Sequence, residues 1–363
     1  MSKAAALLRS ERMLLASYGS CIVLFLIGND ILERATDAWA LGLVLAWLFA
    51  ATLASAMRVV HHADNLAGQL GEPYGTLILT ISVTFIEVVT IAAVMLHGQQ
   101  NPTLARDTMF AVVMIILNGM VGLSLLLGGW RHQEQQYNLQ GANAYLGTII
   151  PLVVLSLVLP SFTGGPLSGA EQIFLVVISI GLYSVFLATQ TGRHRGFFVF
   201  EDSTAGSTHE TSPHGPATHA GLLVAYLLPV TFLAEHLARP FDYFIETLGV
   251  PTAFGGVLIA VMVATPEAIG AVRAASRNHI QRSINIFLGS VLSTIGLTVP
   301  AMILVSLAIG HHLVLGVVGA DLSMLLLTLA VAVVTFASGR TNILQGAVHL
   351  MLFAAYLMLI VVH

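Results

Sequence analysis

Long apolar runs separated by short polar segments dominate the pattern along the 363-residue chain. A helix that crosses a bilayer needs about 20 mostly apolar residues, and eleven such runs can be counted here. The predicted helices lie near residues 13–31, 39–57, 74–97, 108–128, 144–162, 171–190, 220–238, 253–274, 284–308, 313–336 and 343–362. The pattern therefore predicts an all-α polytopic membrane protein with eleven transmembrane helices.

The composition supports this class and excludes several others. Only 9 % of the residues are charged, whereas about 25 % is usual for soluble domains. This scarcity excludes a soluble enzyme, a disordered scaffold and a nucleic-acid binder, and the bilayer itself becomes the expected partner. The single Cys21 excludes an intramolecular disulfide and a thiolate metal cluster. We expect no resident cofactor.

The basic residues predict the orientation. With a cytoplasmic N-terminus, eleven of the 14 Lys and Arg residues fall on the cytoplasmic side, as the positive-inside rule requires. The three on the opposite side are Arg34, Arg106 and Arg239. With eleven spans, the C-terminus is then expected on the side of the membrane opposite the cytoplasm.

Two similar halves flank a polar segment. Each half has an aspartate, then a Leu-Gly-x-Pro motif, and then a glycine twelve residues before a glutamate. These features are Asp64, 70–73, Gly75 and Glu87 in the first half, and Asp242, 248–251, Gly255 and Glu267 in the second. A related tetrad follows in the next helix of each half, Val-Gly-Leu-Ser at 121–124 and Ile-Gly-Leu-Thr at 295–298.

The matching helices are the third and the eighth. They are five spans apart, and because an odd number of spans reverses the direction of the chain across the membrane, the two halves have opposite orientations. This is the inverted-topology repeat of secondary transporters, whose substrate site lies near the bilayer midplane. The predicted organisation is an N-terminus and first helix (1–38), a first five-helix repeat (39–190), a flexible cytoplasmic linker (191–219) and a second five-helix repeat (220–363). A cation-sensing role for the histidine-containing linker remains an alternative.

Glu87 and Glu267 lie within apolar spans, whereas nearly all the other acidic residues lie in loops or at helix ends. An ionised side chain at mid-bilayer costs about 2.5–3.5 kcal/mol on insertion scales, so such residues are usually functional. Two carboxylates that converge from opposed repeats suit a divalent cation such as calcium. The alternative for each is a protonated glutamate that only joins two helices.

Further oxygen ligands are predicted near the two glutamates. Thr84 and Thr90 share the helix face of Glu87, and Pro266 frees the carbonyl of Met262 beside Glu267. The following helices of each half add three more candidates, which are Asn118, Asn285 and Ser290. Each of these polar residues could instead join helices, and Pro266 could be a packing kink. His61, His62 and His349 are expected at the membrane interface.

Several segments resemble the cation/calcium exchanger superfamily, and specifically the ChaA-type calcium/proton antiporters of Gram-negative bacteria. They are 61–64, 70–75, 85–88 (Phe-Ile-Glu-Val), 265–267 (Thr-Pro-Glu), 281–300 and 338–342 (Ser-Gly-Arg-Thr-Asn). The resemblance implies eleven helices, inverted repeats and a glutamate pair that binds calcium or protons alternately, which maps to Glu87 and Glu267. Many relatives have Gly-Asn-Ala-x-Glu before the acidic residue, a motif absent here.

The resulting hypothesis is a secondary antiporter that exports calcium in exchange for protons by alternating access. The alternative is sodium or potassium/proton antiport on the same scaffold. An intramembrane enzyme is disfavoured because no span contains Gly-x-Ser-x-Gly, His-Glu-x-x-His or paired aspartates. A channel is disfavoured because titratable midplane pairs in inverted repeats suit exchange.

Overall fold

The computed structural model describes residues 11–34, 38–71, 74–97, 102–163, 166–199, 214–244, 250–310 and 312–362. Long helices account for most of them. They are α1 (Arg12–Arg34), α2 (Ala38–Leu70), α3 (Tyr74–His97), α4 (Leu104–His132), α5 (Leu139–Phe162), α6 (Gly169–Thr191), α7 (Pro216–Asp242), α8 (Thr252–Ser276), α9 (Ile280–Ile309), α10 (Gly319–Thr335) and α11 (Ile343–Val362). A 3₁₀ turn (Arg195–Phe198) and two short strands, β1 (Gln135–Gln136) and β2 (Arg340–Thr341), complete the described elements.

Nine of the described helices are long and apolar enough to cross a membrane. In α1 the apolar part, Arg12–Gly28, is shorter, and α10 is also short for a span. The predicted class, an all-α polytopic membrane protein, is confirmed. The count of eleven spans remains a prediction.

One predicted helix boundary was wrong by more than three turns. The second helix was expected to end at residue 57, but α2 continues to Leu70. Arg58 ends the apolar run, yet buried Val59, His62, Ala63 and Leu66 continue one face at helical spacing. An apolar-window reading detects bilayer length and misses this amphipathic extension.

The linker ends earlier in the chain than the sequence predicts. The helix predicted from residue 220 begins at Pro216, and proline is favourable in the first turn because its missing N–H has no helical partner there. Residues 195–198 form the 3₁₀ turn. The rest of the predicted linker, 200–213, lies outside the described residues, so its flexibility remains a prediction.

Local sequence accounts for several helix ends. Ser168 and Glu171 form a capping box at the start of α6, each side chain bonding the other residue's backbone N–H. The Asn138 side chain accepts from the backbone of Gln140 at the start of α5. At the end of α9, Gly310 adopts a left-handed conformation with φ of 71°, which favours glycine.

The described helices divide into two compact units. The first contains α1, α2, α3 and α7, with α2 packed along α7 and α3. Its core is a cluster of apolar side chains from α2, α3 and α7, namely Ala56, Val59, Ala63, Ile86, Leu223, Tyr226 and Val230.

The second unit contains α4, α5, α6, α9, α10, α11 and α8 from residue 256 onward. Glycines allow its helices to approach closely. A Cβ at Gly122 of α4 would lie 2.8 Å from the backbone nitrogen of Leu350 in α11, and one at Gly256 of α8 would lie 2.8 Å from the backbone of Thr108 in α4. No larger residue fits such contacts without a backbone shift.

Three helices of the second unit contain a π turn, at Ile115–Met120, Val154–Val158 and Thr294–Thr298. The last two each end two residues before a proline, Pro160 or Pro300. Because proline has no N–H, the regular bonding pattern fails there, and the residue before each proline bonds five residues back instead of four.

Candidate functional site

Glu267 lies near the middle of α8 and is half-buried. The hydroxyl group of Ser290, a buried residue of α9, donates a hydrogen bond to Glu267 Oε2. The carbonyl of Ser290 in turn accepts from the hydroxyl of Ser293 at 2.9 Å. The structure therefore brings together two residues that the sequence assigned to one site from depth alone.

Pro266 leaves one backbone carbonyl of α8 without its usual helical donor. A proline inside a helix has no N–H for the carbonyl four residues earlier, which here belongs to Met262. The hydroxyl of Thr265, the residue directly before Pro266, donates to the carbonyl of Val261 at 2.5 Å. On α8 the oxygen atoms best suited to a cation are thus the Glu267 carboxylate and the Met262 carbonyl.

Glu87 lies within α3 in the first unit and is 1 % exposed. Burial of a carboxylate is costly unless the group is protonated, hydrogen-bonded or bound to a cation. Thr84 and Thr90 lie three residues on either side, on the same face of the helix. Helical spacing therefore places two hydroxyls beside the Glu87 carboxyl, and their role as cation ligands stays a prediction.

The two threonine hydroxyls behave differently from a typical hydroxyl in a membrane helix. Ser82 of the same helix donates to the carbonyl four residues earlier, that of Ile78, at 2.7 Å. The hydroxyl oxygens of Thr84 and Thr90 are buried, and neither makes a hydrogen bond to any residue that the structure describes. Both hydroxyls are thus available as oxygen ligands.

Asn118 lies in the π turn of α4, and its side-chain amide is held by two other helices. Its Nδ2 donates to Thr328 Oγ1 of α10 at 2.8 Å, and its Oδ1 lies 3.3 Å from His349 Nδ1 of α11. None of the recorded partners of Asn118, which include Met114 Sδ on the same helix, is a glutamate. The role of Asn118 as a cation ligand remains a prediction, and the structure adds a role in joining α4, α10 and α11.

Asn285 of α9 is similarly engaged. Its Nδ2 donates to the carbonyl of Phe198 at 2.8 Å, and its Oδ1 accepts from Gln281 Nε2 at 3.0 Å. The first of these bonds connects α9 to the 3₁₀ turn after α6, and the second lies within α9. The structure does not bring Asn285 to Glu267 through any hydrogen bond among the described residues, and its ligand role also stays a prediction.

Two of the histidines expected at the membrane interface are buried within the protein, and their depth in the membrane stays a prediction. His349 is fully buried in α11, where its Nε2 lies 2.9 Å from Thr335 Oγ1. His62 is 1 % exposed in the amphipathic extension of α2. The sequence around His349 does not indicate its partners, because these lie on distant helices. The adjacent His61 and His62 indicate a polar position, but the sequence does not show that His62 is buried.

Glu87 belongs to the first compact unit and Glu267 to the second. Their convergence stays a prediction from the sequence repeat. Among the described residues, no group of three His, Cys, Asp or Glu side chains could hold a metal ion. The candidate ligand atoms are carboxylate, hydroxyl and carbonyl oxygens, the hard donors that suit calcium and the alkali metals.

A protein family described as "Sodium/calcium exchanger protein" matches residues 39–192 and 218–362. The two matched segments correspond closely to the two predicted repeats, and the break between them falls in the predicted linker. Together they cover most of the chain.

Two bacterial relatives are similar over most of their length. One is y4hA of Sinorhizobium fredii, provisionally named an ionic transporter, with 48 % identity over 83 % of this chain and 83 % of its own. The other is the sodium-potassium/proton antiporter ChaA of Escherichia coli, with 40 % identity over 85 % of this chain and 86 % of its own.

Among solved structures, the fold is similar to that of the Ca²⁺/H⁺ antiporter protein YfkE. The native YfkE structure gives a TM-score of 0.73 at 17 % identity, covering 96 % of this chain and 99 % of that one. At such low identity the likeness shows the fold alone.

Proposed function

We propose that this chain, which belongs to the sodium/calcium exchanger protein family, exports calcium across a bacterial inner membrane in exchange for protons. The family consists of secondary transporters rather than enzymes, and the chain is a multi-pass membrane protein. One observation carries the proposal. Matched membrane helices each hold an acidic residue beside hydroxyl oxygens: Glu87 with Thr84 and Thr90, and Glu267 with Ser290.

Inverted repeats are part of the proposal, and reciprocal glycine contacts support them. If repeats of five helices are superposed, α4 corresponds to α9 and α6 to α11. Gly122 of the first tetrad lies on α4 against Leu350 of α11, while Gly296 of the second tetrad lies on α9 against Tyr183 of α6. Each tetrad glycine therefore packs against the last helix of the other repeat.

The loops of the second unit show the same reciprocity. After α4, β1 pairs with β2, which precedes α11, so that Gln135 lies opposite Thr341. After α9, the N–H of Val317 donates to the carbonyl of Leu157, close to the end of α5 and before α6, at 2.8 Å. Exchange of the two repeats converts one contact into the other. These reciprocal contacts support two equivalent repeats, whereas the eleven spans and the cytoplasmic N-terminus are proposed from the apolar runs and the positive-inside rule.

The proposed exchange mechanism follows from charge balance at the glutamate pair. Two ionised carboxylates with one calcium ion carry no net charge, and two protonated carboxyls without calcium are also neutral. The empty dianion places two uncompensated charges in a low-dielectric region, which is costly. Only the two neutral states alternate readily between the faces of the membrane, so calcium is coupled to two protons.

The proposed ligands match the preference of calcium for hard oxygens. Two carboxylates supply at most four oxygens, and calcium takes six to eight. The proposed additional ligands are the hydroxyls of Thr84 and Thr90 on α3, the carbonyl of Met262 on α8 and the hydroxyl of Ser290 on the neighbouring α9. Water supplies the remaining positions in the loaded state.

Sodium or potassium/proton exchange is the second candidate, and the 40 % identity to the Escherichia coli sodium-potassium/proton antiporter favours it. A lower identity, 23 %, relates the chain to a Bacillus subtilis Ca²⁺/H⁺ antiporter also named ChaA. With a monovalent ion, one glutamate is ionised beside the cation and the other keeps a proton. This state is neutral as well, so charge balance permits both ions.

A direct assay uses everted membrane vesicles with an acidic interior and a fluorescent proton probe. Calcium, sodium and potassium are added in turn to vesicles that contain the protein and to matched vesicles without it. The proposal predicts calcium-dependent proton efflux. A response to sodium or potassium alone would support the second candidate, and no protein-dependent efflux with any cation would contradict both.

A further inference from the structure

A buried polar cluster joins three helices of the first unit. Glu11, directly before α1, accepts from Arg58 of α2 through both carboxylate oxygens. Tyr226 of α7 also donates to Glu11 Oε2 at 2.9 Å. Burial raises the pKa of the Glu11 carboxyl, but hydrogen bonds from Arg58 and Tyr226 and the charge of Arg58 outweigh burial and hold that pKa below its usual value. Glu11 is therefore an anion paired with one cation.

Two histidines extend this cluster. His62 of α2 stacks on the ring of Tyr226, with its Nε2 3.5 Å from Glu11 Oε2. On its other side, His62 Nδ1 lies 3.0 Å from Nδ1 of His219, in the first turn of α7. Both histidines are almost completely buried, at 1 % and 2 % exposure. The pair links the cytoplasmic part of α2 to the start of α7.

A contact between two Nδ1 atoms holds one proton. One ring must donate and the other accept, since a neutral imidazole has one N–H and one lone pair. Adding a proton to either ring preserves the bond, because the remaining neutral ring accepts as the appropriate tautomer. When both rings are cationic, both Nδ1 atoms carry hydrogen, and two donors face each other at hydrogen-bond distance. Double protonation therefore breaks the pair.

The surrounding charges also oppose a doubly protonated pair. Arg58 and His61 of α2 act electrostatically on His62, and His214, just before α7, acts on His219. Glu11 is the acidic group in this set, and Arg58 already neutralises it. The third helix packed here, α3, contributes the apolar side chains of Ile78 and Leu79. Two added positive charges would thus repel each other and Arg58.

We infer that His62 and His219 form a second proton-binding site, which senses cytoplasmic pH and holds α2 to α7 while fewer than two extra protons are bound. The inference rests on the proposed function for its orientation and its consequence. α2 and α7 begin the two proposed repeats, and inward proton movement acidifies the side on which the pair lies. Double protonation releases the start of α7 and slows further exchange.

Hydrogen–deuterium exchange of the full-length protein in lipid nanodiscs tests the pair without requiring transport. Exchange of the amides of residues 217–222 is measured over a pH series from about 7.5 down to about 4, because burial and the neighbouring positive charges disfavour the protonated form of both rings. After division by the intrinsic exchange rate, acidification should increase exchange in the native chain. His219→Gln should abolish this increase, since its amide can donate to or accept from His62. His62→Gln provides a second variant with the same expectation.

His236→Gln is the matched control, because His236 lies in the same helix and its Nδ1 bonds only the local Phe232 carbonyl among the recorded hydrogen bonds. It should behave like the native chain. Equal acid-induced exchange in all variants, or none in the native chain, would overturn the inference.

Transport is then measured as cation-dependent proton flux while only the cytoplasmic-side pH is varied. Because only the second proton breaks the pair, the pair should contribute a fall of up to about tenfold per pH unit to the native acid limb, and His219→Gln should remove this contribution. An unchanged acid limb in a folded His219→Gln protein would overturn the sensor role. If the deuterium measurements give the expected result but the protein shows no cation-dependent proton flux, the proposed antiport is contradicted and the histidine pair is not.

Discussion

Replacement of Ser290 by alanine removes the hydroxyl that donates to Glu267 Oε2. A hydrogen bond to a charged group contributes about 1.5–3 kcal/mol, and this bond favours the ionised carboxylate that binds a cation. At about 1.4 kcal/mol per tenfold change, we expect the cation concentration for half-maximal exchange to rise about 10- to 150-fold. The maximal rate at saturating cation should be largely retained, because both glutamates remain.

The effect of Ser290→Ala should depend on pH in one direction. Without the hydroxyl, protons compete better for Glu267, so the loss of cation affinity should be larger at low pH and smaller at high pH. Exchange is measured in proteoliposomes over a series of cation concentrations at several pH values. Ser293→Ala is the matched control, since its hydroxyl donates to a backbone carbonyl rather than to the carboxylate. Half-saturation of Ser290→Ala within about twofold of native, less than 0.5 kcal/mol, would refute the reasoning.

Three further predictions concern single substitutions. Gly296→Ala should lower the unfolding temperature, since its Cβ would lie 2.9 Å from Tyr183 and overpacking costs about 1–3 kcal/mol. Gly289→Ala is the control, because its Cβ would meet only ordinary contacts. Equal unfolding temperatures for the two variants would contradict this prediction. Thr90→Val should leave the melting temperature almost unchanged but raise the half-saturating cation concentration about five- to tenfold, the equivalent of about one hydrogen bond; unchanged half-saturation would remove Thr90 from the ligand set. The pKa of Glu11 is lower in the folded state than its unfolded value of 4.5. The ionised carboxylate therefore stabilises the fold at pH values above 4.5, and this stabilisation is lost as the pH falls through the folded-state pKa. Glu11→Gln should therefore melt lower than native at pH 7, and the difference should shrink in acid; a constant difference would contradict this assignment.

The sequence predicts the helices well because the bilayer imposes a minimum apolar length. The ends of α3 and α11 agree with the apolar windows at 74–97 and 343–362. Where a helix extends beyond the apolar run, this criterion fails, as in α2. Arg58 and His62 are polar residues of the kind found in loops, yet they lie on a helix face that packs against α1 and α7.

The candidate site was only partly predictable for a different physical reason. Ser290 could be matched to Glu267 because both residues lie at similar depth on neighbouring helices. For Asn118 depth was insufficient, since its amide is engaged by His349, 231 residues later in the chain. Hydrogen-bond partners on distant helices have no local sequence signature.

The π turns were also beyond the reach of sequence periodicity. Pro160 and Pro300 indicate where regular helical bonding must fail, but not that the chain resolves the failure by a wider turn. The turn at Ile115–Met120 contains no proline at all. Such turns rotate every later side chain around the helix axis, which changes the residues that face a site.

The central claim is that Glu87 and Glu267 are both required for exchange. Purified Glu87→Gln and Glu267→Gln proteins are reconstituted in proteoliposomes, and cation-driven proton flux is measured for calcium, sodium and potassium. Glu171→Gln is the matched control, since Glu171 is a partly exposed helix-capping residue outside the proposed site. Each midplane variant should be folded and inactive with every cation, while the control exchanges at the native rate. Native flux through either Glu87→Gln or Glu267→Gln would contradict the account.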